Sequence, residues 1–307
     1  MQLRKIREIL AFWRNTMKKV YLYAGTSIFF WSTVATVSKL LLGTLNSYQV
    51  LMYSVLFAGT ALLIVNIITG KLALLKKYRL KDYIAIFLIY SPGTFLYYIF
   101  LYSGTAKMAA SQAFIINYLW PIMSVVFACI ILKEKLTVRK GIAFVMSFLG
   151  VMTVAGGELF HFNAQSLIGT VLCVLAAVSY GAFTALNRRW EYDYPLSMML
   201  SFFSTFIITL IINLAMGEPF QISPFQIVGF AWNGIFTIAV ATVTWQKALK
   251  MGGTAKVSNL AYITPFLSLV WTFLVLKEPI KPLSVAGLVI IVLGIFIQLK
   301  DKKEIFK

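Results

Sequence analysis

Ten stretches of this chain are apolar for long enough to cross a bilayer, and no other feature restricts the fold as much. A hydrocarbon core ~30 Å thick needs roughly 20 residues of helix. The stretches cover residues 20–42, 48–69, 83–102, 108–132, 138–156, 167–187, 196–216, 226–248, 255–276 and 282–299. Within lipid every backbone N–H and C=O must find a partner inside the protein, which leaves only helices and closed barrels. Runs of this length select helices, so the expected fold is all-α, an integral membrane bundle of ten transmembrane helices. Only 12% of the residues are charged, against about 25% in soluble domains.

The basic residues test how such a bundle is threaded. With the N-terminus inside, the cytoplasmic segments hold 24 of the 28 Lys and Arg. The opposite side holds only Lys39, Lys107, Lys277 and Lys281. That imbalance predicts both termini in the cytoplasm. It also accounts for the net charge of +18 without nucleic acid, so the expected surroundings are the lipid bilayer and a small-molecule substrate. Residues 1–19 place Leu3, Ile6, Leu10, Trp13 and Met17 at helical spacing among Arg and Lys. This reads as a basic amphipathic segment on the membrane surface, with a solvated tail as the alternative. They lack a small-residue cleavage site and do not read as a signal peptide. Cys129 and Cys173 fall inside apolar runs and offer neither a disulfide framework nor metal-ligand spacing, so no metal and no cofactor is expected.

The chain repeats itself. Tyr118, Pro121, Leu132, Lys133 and Glu134 recur 144 positions later as Tyr262, Pro265, Leu276, Lys277 and Glu278. The expected domains are therefore residues 20–156 and 157–299, followed by a basic tail at 300–307. Five spans per half is an odd number, so the second half must be inverted relative to the first. Such repeats place a solute site near the midplane, where the halves meet. Ala177, Gly181 and Ala185, and Gly287 with Gly294, supply smooth faces for close helix packing.

Polar and aromatic groups at mid-span depth are the candidate site residues, because an unpaired polar group in hydrocarbon costs several kcal/mol. Asn117, Trp120 and Pro121 lie at i, i+3 and i+4 and so share a helical face. Pro121 also removes a backbone donor and frees the Asn117 carbonyl. This turn should face protein or a water-filled cavity. Asn259, Tyr262 and Pro265 form the later counterpart. Pro92-Gly93 interrupts the third span just before Tyr97 and Tyr98, with a packing kink and interfacial tyrosines as the alternative. Trp31 and Tyr180 each precede a basic residue, Lys39 or Arg188, by eight positions; core aromatics are the alternative. Trp245 reads as a gate or as an aromatic anchor at the membrane interface.

Glu134 and Glu278 sit at helix ends beside lysines and are expected to form ion pairs or caps. His161 falls in a loop. With no carboxylate or histidine at depth, a substrate-driven facilitator or exporter is expected. The alternatives are a proton-coupled drug or cation exporter and a non-transporting receptor or scaffold. No His-Glu-x-x-His, no intramembrane aspartate pair and no nucleophile with a nearby base is present, so the chain does not read as an enzyme.

Two halves, each with a proline-containing span, a Leu-Lys-Glu exit and a last span carrying Gly150 or Gly294, resemble the EamA-like branch of the drug/metabolite transporter superfamily. Within it, Phe30-Trp31-Ser32-Thr33, Asn117-Tyr118-Leu119-Trp120-Pro121 and Tyr262-Ile263-Thr264-Pro265 are similar to motifs of bacterial aromatic amino acid exporters. The chain departs in its long basic N-terminal extension and in Pro92-Gly93. The resemblance implies export of amino acids or other small metabolites across a bacterial inner membrane, through a central cavity lined by both halves.

Overall fold

In the computed structural model the described backbone comprises residues 2–135, 137–160, 164–190, 192–252 and 259–299. Side chains are described within these ranges except at 2–16, 155–160, 249, 250, 259, 262, 298 and 299. Every regular element among them is helical. The elements are α1 (Gln2–Ser32), α2 (Val34–Leu42), α3 (Ser47–Ile68), a 3-10 helix (Lys71–Lys77), α4 (Leu80–Ser91), a π-helical stretch (Pro92–Leu96) and α5 (Tyr97–Lys107). Next come α6 (Ala110–Asn117), α7 (Trp120–Ile131), α8 (Val138–Phe160), α9 (Ala164–Arg189), α10 (Tyr194–Ala215) and α11 (Pro224–Ala231). The chain ends with a second π-helical stretch (Trp232–Val240), α12 (Ala241–Gly252), a 3-10 helix (Asn259–Ile263), α13 (Thr264–Leu276) and α14 (Pro282–Leu299).

Seven helical segments among the described residues are long and apolar enough to cross a membrane: Met17–Leu42, Ser47–Ile68, Leu80–Lys107, Ala110–Ile131, Ala164–Arg189, Tyr194–Ala215 and Pro224–Ala248. Thr264–Leu276 and Pro282–Ile297 are shorter apolar helices. Large apolar side chains such as Ile67, Phe148, Ile211 and Phe273 are exposed along their flanks, as suits a protein whose solvent is lipid. The helix α1 runs unbroken from Gln2 into the first apolar run; the side chains of 2–16, and with them the amphipathic reading of that segment, lie outside the described residues.

Sequence explains where the helices deviate. Pro92 does not break the third run; it opens a π-helical stretch in a helix that continues to Lys107. Near Asn117 the deviation is larger than the spacing predicts. The helix α6 stops at Asn117, residues 118 and 119 form a turn, and Pro121 is the second residue of α7. Asn117, Trp120 and Pro121 therefore do not share one continuous helix. A proline fits the first turn of a helix, where its missing N–H has no partner to lose, so it resets the helix rather than bending it. Pro265 takes the same place in α13, directly after a 3-10 turn.

Two seams tie the early and late parts of the chain together. Along α3 and α10, the Asn66 amide nitrogen lies 3.7 Å from the Met199 sulfur, and that of Asn213 lies 3.8 Å from the Met52 sulfur. Residues early in one helix thus meet residues late in the other, so the two run antiparallel. Asn66 also donates to the Pro195 carbonyl at 3.2 Å, which helps offset the burial of a fully enclosed amide. Along α8 and α14 the backbones touch. A Cβ on Gly287 would lie 2.6 Å from the Gly150 carbonyl oxygen, and one on Gly294 would lie 3.1 Å from that of Ala143. This pair is antiparallel too, and only glycine permits the approach. Elsewhere α5 and α7 pack on α9, while α12 and α13 pack on α1.

Candidate functional site

A cavity lies between the early and late helices. Its space, counted to the mouth, is about 760 Å³, of which about 70 Å³ is open to the centres of water molecules. One water needs roughly 10–15 Å³ by that measure, so the cavity has room for several waters or a small solute.

Half of the residues in its wall are aromatic, and the helix interruptions deliver most of these. The turn between α6 and α7 supplies Asn117, Tyr118 and Trp120; the π-helical stretch and the start of α5 supply Gly93, Tyr97 and Tyr98. Trp31 and Val34 come from either side of the α1–α2 junction and Tyr180 from α9. Three rings form a continuous face: Tyr180 lies 4.8 Å from Tyr97 and 5.3 Å from Trp120, centroid to centroid, the latter edge to face at 83°. Gly93 makes this possible, because a Cβ there would come within 2.4 Å of the Phe183 ring on α9. An edge-to-face arrangement sets the positive rim of one ring against the negative face of the next and fixes both orientations.

Besides its tyrosines, the wall carries polar side chains at Asn117, Thr237, Thr242 and Thr264. Asn117 is buried and its amide nitrogen donates to the Tyr97 hydroxyl at 3.1 Å, while its amide oxygen has no partner. The Thr264 hydroxyl, at the start of α13, is likewise buried without a partner. The Tyr118 hydroxyl donates to the Ala261 carbonyl and so ties the two helix interruptions together. No Asp, Glu, Lys, Arg or His lines the cavity among the described residues.

Of the residues expected at the site, Trp31, Tyr97, Tyr98, Asn117, Trp120 and Tyr180 meet at this wall. Trp245 does not reach it: it stands behind Trp31, ring centroids 5.2 Å apart, in a cluster with Ala24 and Ile28. The side chains of Asn259 and Tyr262 lie outside the described residues, though Ala261 and Thr264 of the same stretch line the cavity. Sequence reasoning missed Phe114, Tyr194, Met198, Thr237 and Thr242. Tyr194 opens α10 behind an N-cap, Asp193, that accepts from the Leu196 N–H at 3.2 Å, a cap signal that fixes the helix start and hence the ring. The others carry no signal that separates them from ordinary core.

The two glutamates stand away from the rings. Glu134 pairs with Arg188 at 2.8 Å and lies 3.6 Å from Lys140. Glu278 accepts from the backbone N–H of Ala110 at 2.8 Å and from the N–H and hydroxyl of Ser111 at 3.0 and 2.8 Å. One is an ion pair and the other a helix cap.

Known proteins resemble this chain over nearly its whole length. It is similar to an uncharacterized transporter of Clostridium kluyveri, 26% identical over 94% of this chain and 95% of the relative. It is also 24% identical to the aromatic amino acid exporter YddG of Ancylobacter novellus, over 57% of this chain and 62% of that protein. A crystal structure with 19% sequence identity superposes with a TM-score of 0.65, covering 92% of this chain and 96% of that one, and so shares its fold. The EamA-like transporter family matches twice, over residues 18–156 and 167–299, and with a match of that extent this multi-pass membrane protein belongs to that family of transporters.

Proposed function

We propose that the protein exports a small neutral or zwitterionic metabolite with an apolar or aromatic side chain, an amino acid foremost, across a bacterial inner membrane. The observation that carries this reading is the ring-walled cavity between the early and late helices, lined by no charged side chain among the described residues. Rings contact the apolar part of such a solute while the Asn117 amide and neighbouring hydroxyls hold its polar end. The name of the Ancylobacter relative points the same way.

The architecture we infer is ten spans in two inverted halves that expose the cavity to either side in turn. Two features support it. The family matches the chain twice. Asn66 and Met52 also have counterparts 147 positions on, Asn213 and Met199, and each asparagine meets the other half's methionine. That reciprocity is what a two-fold axis in the membrane plane produces, and the antiparallel seams agree with it. Both termini are then cytoplasmic, with the Glu278 end of the bundle outside. The site would comprise Trp31, Tyr97, Tyr98, Asn117, Trp120 and Tyr180, with Asn259 and Tyr262 completing it from the second half, Trp245 buttressing Trp31, and Pro92, Pro121 and Pro265 shaping the backbone around it.

Counterflow of neutral amino acids in proteoliposomes tests the reading. Exchange of a radiolabelled amino acid should be measurable and fall by about tenfold in Asn117→Ala and in Trp120→Ala, each ~1.4 kcal/mol of lost contact. Undiminished flux in both variants, at matched protein levels, removes these residues from the site.

A further inference from the structure

Lys39 and Glu278 hold the connection between α5 and α6 from its two sides. Lys39, near the end of α2, donates its ammonium to the carbonyls of Thr105 at 2.8 Å and Met108 at 2.6 Å, where α5 ends. Glu278, just beyond α13, places both carboxylate oxygens on the N–H groups that open α6. The cation thus sits at the negative end of one helix and the carboxylate at the positive end of the next. Glu278 reaches this position because Lys277 takes a left-handed backbone conformation, φ 58°. A lysine adopts it at a penalty that glycine would avoid, so the position of the carboxylate is held against local strain.

The place of this clasp in the fold gives it a role. Phe114, one helical turn into α6 from Ala110, lines the cavity, whereas Tyr194 and Thr264 line it from the first residues of α10 and α13. Glu278 follows the far end of α13, roughly 20 Å from Thr264 at 1.5 Å per residue. The clasp therefore lies beyond the Phe114 end of the cavity wall, one helical turn of α6 from it. The contrast with Glu134 supports this. Glu134 occupies the same position in its half, after Lys133 with φ 60°, but its partners are the side chains of Arg188 and of Lys140 in the first turn of α8, where Glu278 takes backbone N–H groups.

We propose that Glu278, with Lys39, is a gating latch: it holds the α6 entrance shut in this conformation, and its release opens the cavity to the Glu278 face of the membrane. This rests on the cavity being the solute path. Glu278 touches no solute; it acts by positioning α6.

The test reads access without any substrate. A cysteine is placed at Phe114 (Phe114→Cys) in a full-length chain whose Cys129 and Cys173 are alanine, reconstituted in vesicles of known orientation. A membrane-impermeant maleimide is then added to one face at a time. From the Glu278 face, labelling should be slow with Glu278 intact and about tenfold faster in Glu278→Ala, the loss of a charge-assisted contact set. Ser111→Ala, which removes a single donor, should speed labelling about threefold, and Lys39→Met, which frees the Thr105 and Met108 carbonyls, should speed it as well. From the opposite face labelling should not rise. Equal rates from the Glu278 face in all variants overturn the latch, as does acceleration from both faces, which means general loosening. Failure here leaves amino acid counterflow standing, and failure of counterflow leaves these rates interpretable.

Discussion

The helix interruption after Asn117 and the one at Asn259–Ile263 are built alike and equipped differently. Both precede a proline in the first turn of the following helix, and the Tyr118 hydroxyl joins them through the Ala261 carbonyl. At equivalent positions, however, the first presents Asn117 and Trp120 and the second Ala261 and Thr264. The backbone device is duplicated while the side chains at these two positions are not. Among the described residues, the first turn supplies an indole and an amide, and the second a methyl group and a hydroxyl.

The supports behind the two turns differ in the same sense, and substitutions there should have the largest effect. Behind the first, α7 meets α9 at Gly181, where a Cβ would lie 2.5 Å from the Met123 Cβ and 2.7 Å from its backbone carbonyl carbon. Behind the second, α13 is held to α1 by Trp271, whose indole N–H donates to the Ser32 hydroxyl at 3.0 Å. Backbone contact cannot yield, so Gly181→Val should destabilise by about 3 kcal/mol. Ser32→Ala should lose only about 1 kcal/mol, the net worth of one hydrogen bond. Thermal unfolding of both purified variants in detergent decides; equal losses would mean the first turn is no more tightly backed than the second.

A smaller effect is expected at the wall itself. If solute contact is concentrated on the first turn, Thr264→Val, which removes the hydroxyl and preserves the volume, should reduce counterflow less than about threefold, a single neutral hydrogen bond at most. A loss matching that of Trp120→Ala would make the two turns equal partners.

Much of this was readable in the sequence, for a physical reason. Bilayer crossings leave a strong hydropathy signal, and a polar or proline residue inside one stands out because lipid tolerates it so poorly. Asn117 and Trp120 were found that way. Phe114 and Met198 were not, since a phenylalanine or methionine in an apolar run looks the same whether it faces a cavity, a neighbouring helix or lipid. Trp245 shows the converse. Its indole suggests a wall residue, but packing puts Trp31 in front of it, and which ring stands in front depends on how α12 is rotated against α1. The shared face expected for Asn117 and Trp120 assumed an unbroken helix. Both residues reach the cavity instead through the turn between α6 and α7, because Pro121 starts a new helix.

At the far ends of the same two helices the difference between the halves disappears. Lys133 and Lys277 have φ of 60° and 58°. The N–H of the glutamate that follows each reaches back six residues, to Ala128 and to Thr272, at 3.3 Å in both cases. A left-handed conformation costs a lysine roughly 1–2 kcal/mol, and glycine removes that penalty while adding about 0.5–1 kcal/mol of chain entropy. Lys133→Gly and Lys277→Gly should therefore each stabilise the protein by about 0.5 kcal/mol, and by the same amount, because the backbone geometry is shared even though Glu134 and Glu278 then meet different partners. Chemical denaturation of the two variants side by side measures it. A gain at Lys133 with a loss at Lys277 would show that the lysine beside the helix cap has a task of its own, and that the halves differ at their exits as well as at their turns.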